Sequence, residues 1–362
     1  MTLTPANARR IAVARLQRQH LADKPTLTSA ADVVRALCAV QSQDYAGAKW
    51  AIGMRATGLT DAAIDRAYDA GEIVRTHVLR PTWHFVAPED LLWMQRLTGP
   101  RITAKMAPYN KTLGLTPAVF RKGSKVIEKA LTGHRYLTRQ QLKMALDRAK
   151  IATEGSQRLA HLVMQAEVEG LICSGPRAGT QVTYALVSDR VPHSRDLTGD
   201  EALLELTQRY FATHAPATVH DFAWWSGLSI AECRRGIALA GNELETRRID
   251  DISYHVPPGF ELPREASTAV HLLPNYDEFF IGFRDRSAIG QRLEDIKLVT
   301  GGNALIAHVV TIGGQLVGGW KRAVKQKTAS VDLKLLAPLN GAEQKRLTAR
   351  IRQFERFVET SD

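Results

Sequence analysis

The chain has 362 residues, of which 44% are hydrophobic and 23% charged, the profile of a globular protein long enough for about two to four domains. It contains no apolar run of the roughly 18 residues that a membrane-spanning helix needs, and Met1–Arg10 lacks the hydrophobic core of a secretory signal, so the expectation is a cytoplasmic protein. Cys38, Cys173 and Cys233 lie far apart, which argues against a disulfide framework and a zinc cluster, and a net charge of +11 (48 Lys and Arg against 37 Asp and Glu) favours a polyanionic partner.

Asn7 to Leu21 reads as an amphipathic helix, with Ile11, Val13, Leu16 and Leu21 set among Arg9, Arg10, Arg15 and Arg18. Ser29 is the N-cap of a second helix, with Asp32 at its third position and Val33, Leu37 and Val40 on one side. Gln41 falls at the edge of that stripe. Thr60 caps a short helix over Asp61–Asp69, which Gly71 ends, and Ile73–Val86 is rich in β-formers with Arg80-Pro81 at a turn. The order helix, helix, helix, hairpin is that of a winged helix-turn-helix.

The order recurs twice. After a mostly helical connector from Pro88 to Leu131, Leu137-Thr138 introduces a helix over Arg139–Ala149, Ser156 starts a second, and Gly170 stops it. Strands then follow at Leu171–Cys173 and Val182–Val187, around the loop Gly175–Gly179. In the third copy Ala217-Thr218 introduces Val219–Ser226, Ser229 caps Ile230–Ala240 before Gly241, and strands Leu244–Ile249 and Ile252–Val256 meet at Asp250-Asp251. Pro257-Pro258-Gly259 marks a boundary. Short apolar runs between glycines, such as Leu305–Ile312 and Leu316-Val317, then suggest a β-rich region closed by a helix over residues 341–359.

The fold class expected is therefore mainly α with β-hairpin wings: three tandem winged helix-turn-helix units and a small C-terminal β-rich domain. The segments are 1–87, a connector at 88–131, 132–192, 193–257 and 258–362. No phosphate-binding loop, zinc spacing or dinucleotide-binding context occurs, so no metal or cofactor is implied.

Among these elements, four blocks resemble the AlkZ-like (YcaQ-type) winged-helix DNA glycosylases. They are Ala39–Asp44 (Ala-Val-Gln-Ser-Gln-Asp), Ile73–Val86, Asp221–Leu228 (Asp-Phe-Ala-Trp-Trp-Ser-Gly-Leu), and Leu273–Arg286 followed by Gly318–Arg322. They occur in the family's order and cover nearly the whole chain. The resemblance implies a concave basic surface and removal of alkylated, in some members crosslinked, purines from double-stranded DNA by a monomer. It also implies a catalytic motif of Gln, an aliphatic residue, then Gln or Asp. Gln41 and Gln43 match its ends, and Ser42 stands where the aliphatic residue would be.

A glutamine amide offers one acceptor and two donor hydrogens, enough to orient a water but not to act as a strong base. In a continuing helix Gln41 and Gln43 would point roughly 200° apart, whereas in an extended chain they share a face. The catalytic reading therefore requires the helix to stop near Gln41. Asp44 is a second candidate for activating water, set against a role as a helix C-terminal turn residue. Arg75 and His77 alternate onto one face of their strand, toward a phosphate, a lesion or solvent. Arg177 at a hairpin tip, Arg234 and Arg235 on a helix, and Lys321 and Arg322 after a glycine pair are the other candidate DNA contacts. Trp224 and Trp225 read as packing, and Asp277 as an ion-pair partner of Arg284 or Arg286. The competing reading is a non-catalytic winged-helix regulator.

Overall fold

The structure, a computed structural model, describes residues 3–21, 25–155, 157–293, 308–325 and 328–359. Along the chain run α1 (Pro5–Arg18), α2 (Ala30–Leu37), β1 (Ala39–Gln41), α3 (Tyr45–Gly53), α4 (Asp61–Ala70), β2 (Val74–His77), β3 (Trp83–Val86), α5 (Leu91–Thr112) and α6 (Pro117–Leu131). There follow β4 (Leu137–Thr138), α7 (Arg139–Arg148), α8 (Arg158–Val168), β5 (Ile172–Ala178), β6 (Gln181–Leu186), α9 (Val187–Arg190), α10 (Gly199–His214), α11 (Val219–Ser226) and α12 (Ile230–Ala240). The last elements are β7 (Glu245–Ile249), β8 (Ile252–Val256), β9 (Val270–Leu273), α13 (Glu278–Ile281), β10 (His308–Ile312), β11 (Gln315–Lys325), β12 (Thr328–Leu335) and α14 (Gly341–Glu359). The architecture is mixed α/β. Two compact units arise from it: Met1–Asp65 with Leu204–Trp225 and Ser229–Asp362, and Arg66–Leu203 with Ser226–Leu228.

Local capping chemistry sets many of these boundaries. Ser29 Oγ accepts the Asp32 N–H at 3.0 Å and starts α2, and Thr60 Oγ1 accepts the Ala63 N–H at 3.1 Å and starts α4. Thr138 with Gln141 and Ser229 with Glu232 form reciprocal capping boxes at α7 and α12. Gly71 and Gly170 stop helices with φ of 83° and 73°, a conformation glycine adopts without steric cost.

In the first unit β9, β10, β11 and β12 form an antiparallel sheet in the order β12-β11-β10-β9. Trp50 on α3 donates its indole N–H to Leu272 O at 2.7 Å, and Trp320 on β11 donates to Leu273 O at 2.8 Å. Both rings meet Phe354 of α14 at 5.1 Å, so α3, α14 and the sheet share one core. Gly53 lies under the same helix: a Cβ there would come within 2.5 Å of the Phe357 ring. A second cluster forms around Tyr210 on α10, whose ring stacks on Phe222 at 4.9 Å and on His214 at 4.5 Å. In the second unit α6, α7 and α8 bury Ile127, Leu131, Leu142, Leu146 and Leu162 against Ile172 and Tyr184 of the β4-β6-β5 sheet.

Two sequence expectations change. Helix α2 ends at Leu37 rather than running through Val40, because Cys38 takes φ 68° and ψ −45° and the chain turns into β1. Helix α3, which the apolar spacing did not reveal, is buried around its whole circumference from Gly47 to Gly53 and so has no polar stripe to betray it. Ser156 and the start of the apolar run at Leu305 lie outside the described residues.

His271 on β9 is fully buried and donates Nε2–H to Leu21 O at 2.9 Å. Burial, followed by the charge of Arg350, lowers its pKa to about 3. An unfolded histidine takes up its proton near pH 6.5, so stability is complete above that value and declines as pH falls from about 6.5 toward 3. We expect urea midpoints to drop on acidification below pH 6.5, with a slope of up to about 1.4 kcal/mol per pH unit for this group. His271→Gln should flatten that slope. A midpoint that falls equally steeply in both proteins would contradict the assignment.

Candidate functional site

The glutamine motif sits at the end of β1, in the chain segment released when α2 stops. Cys38 makes the stop: its N–H donates to Arg35 O at 3.2 Å, and its positive φ is a conformation that non-glycine residues adopt at an energetic cost. From Ala39 to Gln41 the backbone is extended, and at Gln43 it bends. The condition set by sequence reasoning, a helix that ends before Gln41, is met. Gln41 is 5% exposed, Ser42 is fully buried and Gln43 is exposed.

Asp44 is not a helix C-terminal residue. It is the N-cap of α3, where its Oδ1 accepts the Gly47 N–H at 3.1 Å. Gly47 has no Cβ for a reason, since one would sit 2.6 Å from Asp44 Oδ2. The same Oδ1 accepts from Arg322 Nη2 of β11 at 2.7 Å. Arg322, a candidate phosphate contact, is therefore an anchor for the residue that follows the motif. Lys49, buried on α3, pairs with Asp61 at 2.6 Å and Asp65 at 2.9 Å, and Asp65 also accepts from the Tyr45 hydroxyl at 3.0 Å.

On the other side of β1 lies the turn Asn275-Tyr276-Asp277-Glu278. Asp277 does not pair with Arg284 or Arg286. Its carboxylate is bidentate to Arg55, at 2.7 and 2.9 Å, with both side chains fully buried. Arg286 instead donates Nε–H to Phe280 O at 2.9 Å. Asp277 also caps α13 by accepting the Phe279 N–H at 2.9 Å. The next residue, Glu278, is 1% exposed. Its Oε1 accepts the backbone N–H of Gln41 at 3.1 Å and its Oε2 accepts the Trp225 indole N–H at 2.8 Å. His214 Nε2 stands 3.6 Å from the same Oε2, and burial lowers the pKa of that imidazole. Trp225 is buried, as expected of packing, while the half-exposed Trp224 donates to Ile281 O. Asp277 and Glu278 stand in one of the recognised blocks. Their link to Arg55 and Gln41 spans more than 200 residues, and no local spacing signals it.

Other candidates fall elsewhere. Arg75 and His77 on β2 are buried, at 8% and 5% exposure, rather than on a solvated face. The Arg75 guanidinium lies 4.4 Å from the Trp83 ring centroid, and His77 Nδ1 is 2.5 Å from Glu167 Oε2, whose other oxygen accepts from Trp83 Nε1 at 3.3 Å. Arg177 is not at a hairpin tip. It lies within β5 at an irregular register, and its guanidinium is held by Asp69 at 2.7–3.2 Å. Those contacts, with the Arg177 N–H, outweigh the burial that opposes them and lower the Asp69 pKa. Arg234 and Arg235 on α12 and Lys321 on β11 are exposed. Gln41, Gln43, Asp44 and Arg322 are thus gathered in the first unit with Arg234, Arg235 and Lys321, while Arg75, His77 and Arg177 belong to the second. Among the described residues no group of three or more His, Cys, Asp or Glu side chains is placed to hold a metal ion, and no helix is long and apolar enough to cross a membrane.

These features define a basic, mixed α/β protein whose candidate reacting groups are amides on a braced turn. The sequence profile described as "DNA glycosylase AlkZ-like" matches residues 34–357, and the chain belongs to that family of DNA glycosylases. A relative named "Interstrand DNA cross-link repair glycosylase", from Streptomyces sahachiroi, is 25% identical over 334 residues, 87% of this chain and 88% of the relative. The solved structure of Streptomyces sahachiroi DNA glycosylase AlkZ superposes with a TM-score of 0.77 at 21% identity, covering 98% of this chain and 97% of the other. The protein is therefore a DNA-repair glycosylase.

Asp44→Ala removes the α3 cap and the partner of Arg322. Losing a cap costs about 0.5–2 kcal/mol and losing a partly exposed ion pair about 0–1 kcal/mol. We expect a loss of roughly 1–2 kcal/mol in urea unfolding. A variant as stable as the wild type would show that the cap and ion pair contribute nothing.

Proposed function

We propose that this glycosylase excises N7- or N3-alkylated purines, crosslinked purines included, from duplex DNA by water attack at the anomeric carbon. Gln41 and Gln43 orient the water. The observation that carries this reading is the extended, braced segment at Gln41-Ser42-Gln43, where an interrupted helix leaves the motif outside any helical register. The name of the Streptomyces relative supports the crosslinked part of the substrate range.

The chemistry suits a neutral motif. An N7-alkylguanine is already cationic, so breaking its N9–C1′ bond sends the electron pair onto a base that leaves neutral. Water oxygen then bonds to C1′, and its proton passes to solvent. No strong general acid is needed at the leaving group. What the protein supplies is the position of the water, and positioning alone can contribute roughly 7–11 kcal/mol in the best-oriented cases. Ser42, at the aliphatic position of the motif, is fully buried.

For the DNA itself, the helix-helix-hairpin segments within 1–87, 132–192 and 193–257 serve as three winged-helix units, with 258–362 as a β-rich closing region. Arg234, Arg235 and Lys321 are the exposed cations for phosphate. Arg177 and Arg322, engaged by Asp69 and Asp44, approach phosphate only by sharing those carboxylates. Arg75 and His77 sit in the Trp83–Glu167 cluster and act by shaping the surface around them.

The test is release of 7-methylguanine from duplex DNA, scored as abasic sites after heat or alkali. Wild type should release the base, and Gln41→Ala should lower release at least about 100-fold with duplex affinity nearly unchanged. Affinity should fall steeply with salt, as phosphate-dominated binding does. A wild-type protein that binds the duplex without releasing any base above background would refute the substrate reading.

A further inference from the structure

We infer that Glu278 is the positioning residue for Gln41, holding the end of β1 through its backbone amide and setting a negative charge beside the glutamine that faces a developing sugar cation. The inference rests on the catalytic reading of Gln41 and extends it to a residue 237 positions away.

The geometry is specific. A carboxylate at 1% exposure has been taken out of water, which is costly unless its oxygens are satisfied by well-placed donors. Glu278 meets that requirement with the Gln41 amide at 3.1 Å on one oxygen and the Trp225 indole at 2.8 Å on the other. The hydrogen bond to Gln41 is not part of any ladder or helix. It goes to the backbone of the very residue whose side chain must be oriented, so it restrains the Cα from which that side chain projects. Glu278 is itself fixed. It opens α13 immediately after Asp277, whose bidentate pair with Arg55 is fully buried, and the Gln19 side-chain amide reaches the Glu278 carbonyl at 3.4 Å. Gln19 also accepts from Arg55 Nη2 at 3.3 Å, which closes the brace.

The charge has its own use. Hydrolysis of the glycosidic bond passes through an oxocarbenium-like state, and the two glutamines are neutral. A carboxylate one hydrogen bond from Gln41 supplies fixed negative potential in a low-dielectric surrounding, where such a field acts more strongly than in water. Since Glu278 contacts the backbone of Gln41, it acts through Gln41 and the local field without touching the water or the sugar.

The test uses the full chain with Glu278→Gln and Glu278→Asp. Single-turnover release of 7-methylguanine, duplex Kd, thermal unfolding and hydrogen exchange of the peptide spanning residues 39–43 are measured on each. Glu278→Gln keeps the shape, removes the charge and turns a donor toward one of the two N–H groups. The expected result is a fall in release on the order of 10- to 100-fold with Kd unchanged, the size seen when an indirect partner of a reacting group is removed. Exchange at 39–43 should be faster. Glu278→Asp keeps the charge but withdraws it by one methylene, so it should recover part of the rate lost in Glu278→Gln while exchange stays fast. It also serves if Glu278→Gln fails to fold. A folded Glu278→Gln with wild-type release overturns the inference, as does wild-type exchange at 39–43 in both variants, or an equal loss of rate in both that simply follows their melting temperatures. If the wild type itself releases no base, the substrate reading fails separately, and the exchange result alone decides whether Glu278 holds Gln41.

Discussion

The pair formed by Arg55 and Asp277 is the constraint on which the site depends. Both side chains are at zero exposure, and two short hydrogen bonds join them. Leaving either charge alone in that interior would cost about 3–5 kcal/mol, so the two segments that carry them are held in one relative position. One segment is the end of α3, which follows the glutamine motif. The other is the turn that presents Glu278 to the motif's backbone. The motif is therefore gripped from both sides: by Asp44 capping α3 and paired with Arg322, and by Glu278 on β1. A flexible amide, which loses rotamer freedom when ordered, needs such a frame if it is to orient a water reproducibly.

What the sequence made legible follows from the range of the interactions involved. The caps at Ser29, Thr60, Thr138 and Ser229 act over three residues, and each is found where its residue type and spacing placed it. The hairpins at 74–86 and 245–256 and the final helix over Gly341–Glu359 are likewise encoded by local alternation, turn residues and amphipathic spacing. The failures are those of distance. Asp277 reads as a neighbour of Arg284 and Arg286 because they are close in the chain, yet Arg55 lies 222 residues away and offers a planar fork that fits the carboxylate with two bonds. Arg177 reads as an exposed tip because glycines flank its loop, yet strand β5 continues through it and Asp69 captures it.

The stop of α2 was legible as a need rather than as a signal. Nothing about Cys38 predicts a positive φ, since its side chain is neither glycine nor asparagine, and the apolar spacing of Val33, Leu37 and Val40 continues the helix on paper. Tertiary structure overrides that spacing: β1 is a paired strand, and the Gln41 N–H, which in a helix would be committed to a carbonyl four residues earlier, goes to the Glu278 carboxylate.

The proposed mechanism also bears on why amides would serve this chemistry. In the proposed mechanism a carboxylate placed where Gln41 stands would be a stronger base, but it would meet a cationic lesion as a counter-ion and stabilise the ground state along with the transition state, which raises affinity without raising rate. With neutral amides in front and the Glu278 carboxylate one hydrogen bond behind, as proposed, the ground-state attraction would be weaker while water orientation remained. In that proposal the charge would be felt most where the cation moves from the base onto the sugar. The proposed mechanism would be limited in range: without a strong acid or base in contact with the substrate, only bases that leave readily would be removed, and labile alkylated purines meet that condition.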